Sequence, residues 1–167
     1  MAWEPNRAMP LSVLVVEDSE DDAELVIRAL RRGGLYPRAE RVDTHAAMDT
    51  ALRRQTWDLV ISDYSMPQFS GPAALALVRG RGLDTPFIIV SGVIGEDAAV
   101  AAMKAGAHDY IRKGDLARLV PAVERELREA EMRGQRARAS RCGSRKPWRG
   151  PRWTPCRRTS PSSTSAG

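Results

Sequence analysis

Short apolar runs alternating with stretches of helical period most constrain what this chain can fold into. Leu11 to Val16 is β-branched and unbroken, as a strand covered on both faces must be. A helix is expected from about Glu20 to Arg32, capped by Ser19 or a neighbouring Asp and stopped by Gly33-Gly34. The pattern then recurs. Ala39 to Val42, Asp58 to Ser62, Phe87 to Ser91 and His108 to Arg112 are the further strands. Helices are expected at Thr44 to Arg54, Pro72 to Arg79 and Glu96 to Ala105, with a last one beginning near Asp115 or Leu116. This is the signature of an α/β domain built on a parallel sheet, with five strand-helix units.

At 167 residues the chain suffices for one such domain plus a tail. Its longest strongly apolar run falls far short of the roughly 20 residues a membrane helix needs, so no membrane partner is expected. The start MAWEPNRAMP lacks the pattern of a secretory signal, and a cytoplasmic location is expected.

The formal net charge of +5 is unevenly spread. From Gly134 onward there are nine Lys or Arg and no Asp or Glu, which leaves 17 basic against all 21 acidic groups before it, a net of −4. The body is acidic and only the tail is basic, so specific nucleic-acid binding is not expected of the domain. Residues 1–8 read as an N-terminal extension, 9–132 as the domain, and 133–167 as an Arg/Ser/Pro-rich tail too poor in aliphatic residues to bury a core and expected to be disordered. The tail's composition also fits translation in a wrong reading frame. Cys142 and Cys156 both lie there without CxxC spacing, and His45 and His108 lack companions at ligand spacing, which argues against zinc.

In open parallel sheets, chemistry sits at the carboxyl ends of the strands. Glu17 and Asp18 follow the first strand, Asp63 the third, Ser91 and Gly92 the fourth, and Lys113 the fifth. Three carboxylates at one sheet edge repel unless a cation neutralises them, and an all-oxygen cluster favours a hard ion such as Mg²⁺. A hydroxyl and an ammonium opposite them suit phosphoryl transfer, in which positioning and charge stabilisation do most of the chemistry. Asp63 has the task of carboxylate nucleophile; Asp18 holds the metal with help from Glu17; Ser91 and Lys113 bind phosphate oxygens, and Gly92 leaves room for the group.

VLVVEDSEDD, DLVISDYSMPQFSG, PFIIVSG and AGAHDYIRKG, in this order and spacing, resemble the response-regulator receiver family across nearly all of residues 9–132. The resemblance implies a doubly wound flavodoxin-like sheet of order 2-1-3-4-5 with helices on both faces, and a role in two-component phosphorelay. It also implies that the Ser65 backbone carbonyl is a metal ligand and that Tyr110 is the aromatic whose rotation follows the movement of Ser91. The partners implied are a histidine kinase or phosphotransfer protein and a downstream protein, and no enzymatic activity beyond the domain's own phosphorylation and dephosphorylation. The family's usual proline after the lysine is Gly114 here, and the tail has no family counterpart.

Three other readings stand beside this one. A Mg²⁺-dependent phosphohydrolase would share the strand-end aspartate, but Tyr64 and Ser65 follow Asp63 where a second acid would be needed. The chain could be the N-terminal piece of a larger sensor kinase. A nucleic-acid binder would work through its tail. The stripe Leu116, Leu119, Val120, Val123 and Leu127 of the last helix is expected to pack on the sheet; beyond it, a coiled-coil linker or homodimer contact stays open.

Overall fold

The computed structural model describes residues 10–92 and 95–143. Five strands form one parallel sheet: β1 (Pro10–Val16), β2 (Tyr36–Val42), β3 (Leu59–Asp63), β4 (Phe87–Ser91) and β5 (Asp109–Arg112), in the order β2-β1-β3-β4-β5. This is the doubly wound arrangement expected. The helices are α1 (Glu20–Arg32), α2 (His45–Arg54), α3 (Gly71–Gly80), α4 (Glu96–Lys104) and α5 (Leu119–Gly143), with a 3₁₀ turn over Lys113–Arg118.

Alternation along the strands divides the core into two layers. Val13, Val15, Leu59, Ile61, Ile88 and Val90 pack with Ala23, Val26 and Leu30 of α1 and Leu119, Val123 and Leu127 of α5. Leu14, Val16, Val60, Phe87 and Ile89 face the other way, onto α2, α3 and α4 through Met48, Leu75, Val78 and Ala102. Truncating one such buried Leu or Ile to Ala costs about 2–5 kcal/mol, so either layer holds the sheet edge in place.

Local signals start the helices. Ser19 accepts from the Asp22 N–H, Thr44 from Ala47 and Ser70 from Ala73, each satisfying an orphan donor of the first turn. Gly106, at φ +104, ends α4 in a conformation that a side chain would oppose.

Beyond shifts of a residue at element ends, such as β3 closing on Asp63 rather than Ser62, the structure departs from expectation in three places. β2 begins at Tyr36 rather than Ala39, because Pro37, which has no N–H to donate, is tolerated on a strand that pairs only with β1. The last helix does not begin at Asp115 or Leu116: Asp115 sits at φ −132, ψ 50, and the 3₁₀ turn gives way to α5 only at Leu119. The helical pattern also does not fail at Gly134 but continues to Gly143. One interior glycine costs about 1 kcal/mol, and the Gln, Arg and Ala residues that follow are good helix formers, so an expected break becomes a solvated helical extension. The N-terminal extension, and the expected disorder from residue 144 onward, lie outside the described residues.

Candidate functional site

Register places the chemistry-bearing residues. Val16 pairs with Ser62 and Asp63 with Val90, so Glu17 and Asp63 emerge at the same level of adjacent strands. Ser91 pairs with Arg112, which sets Ser91 beside the start of the turn that carries Lys113. One oxygen from each of Glu17, Asp18 and Asp63 lies within 4.8 Å of the others. Glu17 and Asp63 are buried at 4% and 8% exposure, and Ser91 at 1%.

The Lys113 ammonium closes the pocket. Its Nζ is 2.9 Å from Glu17 Oε2, 3.5 Å from Asp63 Oδ2 and 2.5 Å from Asp22 Oδ2. Burial disfavours this charge, but the hydrogen bonds to Asp22 and Glu17 and the charge of Asp63 outweigh it and raise its pKa above the ordinary value of 10.5. Burial pushes the Glu17 carboxyl above 4.5, with the Asp63 charge adding to it and Lys113 and the Ser19 N–H opposing. Asp63 Oδ1 accepts from the Tyr64 N–H at 2.7 Å, which leaves Oδ2 on the Lys113 side.

Among the other expected residues, Ser65 lies exposed on the loop after β3. Tyr110 is half-buried and meets Tyr64 edge-on, with centroids 6.3 Å apart. A Cβ on Gly92 would meet Lys113 Cδ at 3.7 Å, so the backbone runs beside the lysine stem.

Sequence reasoning passed over two participants. Asp22, in the first turn of α1, is the shortest contact of Lys113; its signal was only the acidic run Glu20-Asp21-Asp22, which also reads as ordinary first-turn charge. Arg41 of β2 donates to the carbonyls of Glu17 at 3.0 Å and Asp18 at 3.4 Å, so a guanidinium pins the backbone of the acidic turn. Nothing in an exposed, polar edge strand marks that partner.

The donor set tests well for a hard divalent ion. It is all oxygen, carries more negative charge than one ammonium balances, and includes a buried carboxyl whose ionised form burial disfavours.

The parallel sheet of order 2-1-3-4-5 with an acidic pocket at its carboxyl edge defines a receiver-type α/β module. A family model described as the response regulator receiver domain matches residues 13–124, and the chain belongs to that family. Its role is that of a receiver module in two-component signalling. Among curated relatives, the response regulator protein FleR of Pseudomonas aeruginosa is 37% identical over 105 residues, covering 63% of this chain and 22% of that protein. The transcriptional regulatory protein PrrA of Mycobacterium tuberculosis is 34% identical over 129 residues, covering 77% and 53%. The chain thus spans between about a fifth and about half of the length of these relatives. A solved response regulator from Hahella chejuensis is 30% identical with a TM-score of 0.56, covering 70% of this chain and 89% of that one. A receiver domain protein from Clostridium thermocellum, 23% identical with a TM-score of 0.63 over 73% and 98%, shares the fold. Among the described residues no helix is long and apolar enough to cross a membrane.

Proposed function

We propose that Asp63 takes a phosphoryl group from the phosphohistidine of a histidine kinase or phosphotransfer protein. The observation that carries this reading is the meeting of the Glu17, Asp18 and Asp63 carboxylates within 4.8 Å, with the Lys113 ammonium 3.5 Å from Asp63.

One Asp63 carboxylate oxygen attacks phosphorus while the bond to the donor nitrogen breaks, and the electron pair leaves with the imidazole. The Tyr64 N–H holds the other oxygen and so orients the carboxylate. Glu17, Asp18, Asp63 and the backbone carbonyl of Ser65 would hold Mg²⁺, which when bound neutralises the pocket and the phosphoryl oxygens. Lys113 and the Ser91 hydroxyl donate to those oxygens, the ammonium matching the added charge. Movement of Ser91 toward the group frees space that Tyr110 enters, which changes the surface offered to a downstream protein. Phosphorylation of Asp63 and its reversal are the reactions of this pocket, and the cytoplasm is the compartment that fits a receiver module. A homodimer through the last helix is the remaining output route.

Incubation with acetyl phosphate and Mg²⁺, followed by intact-mass measurement, tests the assignment. Wild type gains one acid-stable, alkali-labile phosphoryl group and Asp63→Asn gains none. Equal gain in both proteins, or steady turnover of a phosphomonoester by wild type, overturns it.

A further inference from the structure

We infer that Asp22 is a positioning residue for Lys113: it keeps the ammonium anchored at the rim of the pocket, in place for an incoming phosphoryl group, when Glu17 and Asp63, which the ammonium also contacts, turn to a cation. This rests on Asp63 being the phosphoacceptor.

Three carboxylates compete for one ammonium, and the distances rank them. Asp22 Oδ2 is at 2.5 Å, Glu17 Oε2 at 2.9 Å and Asp63 Oδ2 at 3.5 Å. Asp22 stands outside the cluster formed by Glu17, Asp18 and Asp63, so it can keep its bond to Lys113 while the cluster serves a cation. The other two cannot do both without sharing an oxygen environment between two positive charges.

Asp22 is itself held firmly. Its backbone N–H donates to the Ser19 hydroxyl at 3.3 Å, and the Ser19 N–H donates to Glu17 Oε1 at 3.2 Å. The same cap therefore orients one face of Glu17 and the first turn of α1 that carries Asp22. From there the carboxylate reaches across to a lysine on the turn after β5. A Lys side chain has many rotamers, and a charged partner at the pocket's rim selects among them. Without Asp22, the nearest remaining acceptors are Glu17 and Asp63, and the ammonium would settle into the space a cation needs.

Two consequences follow for Asp22→Asn. Mg²⁺ affinity falls, because the released ammonium competes with the ion, and the phosphorylation rate at saturating Mg²⁺ and acetyl phosphate falls, by up to about a hundredfold, the scale of a group misplaced by about 1 Å. Asp22→Glu, which retains the carboxylate, restores most of both. A cycle with Lys113→Ala separates positioning from general electrostatics or folding. Mg²⁺ dissociation constants by calorimetry and single-turnover rates are measured for wild type, Asp22→Asn, Lys113→Ala and the double variant, with urea midpoints confirming that each is folded. If Asp22 acts through Lys113, adding Asp22→Asn to Lys113→Ala changes neither quantity further. Full persistence of the Asp22→Asn effect in the Lys113→Ala background, or wild-type values for Asp22→Asn itself, overturns the inference. Failure of the underlying assignment is read separately, as a mass gain that survives Asp63→Asn.

Discussion

A Cβ placed on Gly71 would lie 2.6 Å from the carbonyl oxygen of Asp63 and 3.0 Å from Tyr64 Cα. The first residue of α3 thus packs directly on the backbone of Asp63, and its N–H closes the intervening loop by donating to the Tyr64 carbonyl at 3.0 Å. Neither neighbour is the flexible end of a side chain, so the contact cannot be relieved by a rotamer change. Gly71→Ala should destabilise the domain by about 1–3 kcal/mol, the usual cost of overpacking, and slow acetyl-phosphate labelling of Asp63. Gly80→Ala, at the other end of the same helix with nothing near its Cβ, is the control and should be neutral or slightly stabilising. Urea unfolding of both variants checks the difference; equal midpoints would remove the role assigned to Gly71.

The relation between these two glycines illustrates what a sequence can and cannot disclose. That YSMPQFSG is turn-rich and leads into a helix could be read from its Pro, Ser and Gly, but that Gly71 rather than Gly80 bears on Asp63 depends on where α3 docks. The strands β1, β3 and β4 were legible because burial on both faces demands unbroken aliphatic runs, and those runs end where the polar residues of the pocket begin. Lys113 and Asp22 are far apart in the chain and meet only because α1 packs beside the turn after β5, so no local pattern announces their pairing. Arg41 was hidden for a related reason: on an edge strand its side chain reads as solvent-facing charge.

Glu17 couples the pocket to stability. Burial raises its pKa in the folded protein above 4.5, so the folded state binds that proton more tightly than the unfolded chain does. Its contribution is therefore favourable below the unfolded pKa and is lost as pH rises through the folded value, where ionisation leaves a poorly solvated carboxylate. Glu17→Gln should raise the metal-free Tm and abolish most of the further rise that millimolar Mg²⁺ produces in wild type. For scale, a ligand at a hundred times its Kd adds about 2.7 kcal/mol. Thermal unfolding with and without Mg²⁺ decides it; a Gln variant that is still stabilised as strongly as wild type would take Glu17 out of the metal site.

His108 gives a second pH dependence of opposite sign. The Phe87 backbone N–H donates to its Nδ1 at 3.0 Å, so that nitrogen carries no proton and the ring is neutral. Burial lowers its pKa below 6.5, and Arg79 and Arg133 lower it further against the opposing charges of Glu126 and Asp84. The stability associated with the neutral ring is fully present above pH 6.5 and is lost as pH falls through the folded value. His108→Asn, whose side-chain carbonyl can accept from Phe87 without titrating, should flatten the loss of stability that wild type shows as pH falls below 6.5. The imidazole resonances of His108 should titrate with a midpoint below that of an unstructured peptide; a midpoint at or above it would contradict the buried, arginine-flanked setting.

The far end of α5 tests how much of a helix can stand without a core. Leu127 is its last buried aliphatic residue, Met132 is half exposed, and the side chains from Gly134 to Ser140 are all exposed. Arg133 reaches back to Asp84 at 2.8 Å, but an exposed ion pair contributes at most about 1 kcal/mol. Helicity past that point rests on propensity alone, and a stretch of this length is marginal in water. Amide exchange should therefore be strongly protected from Ala122 to Leu127 and nearly unprotected from Gln135 onward. A chain shortened after Gly134 should unfold within about 0.5 kcal/mol of the full chain. If shortening instead lowers stability in a manner that depends on protein concentration, with sedimentation showing a dimer only for the longer chain, the projecting turns of α5 are a contact between two copies.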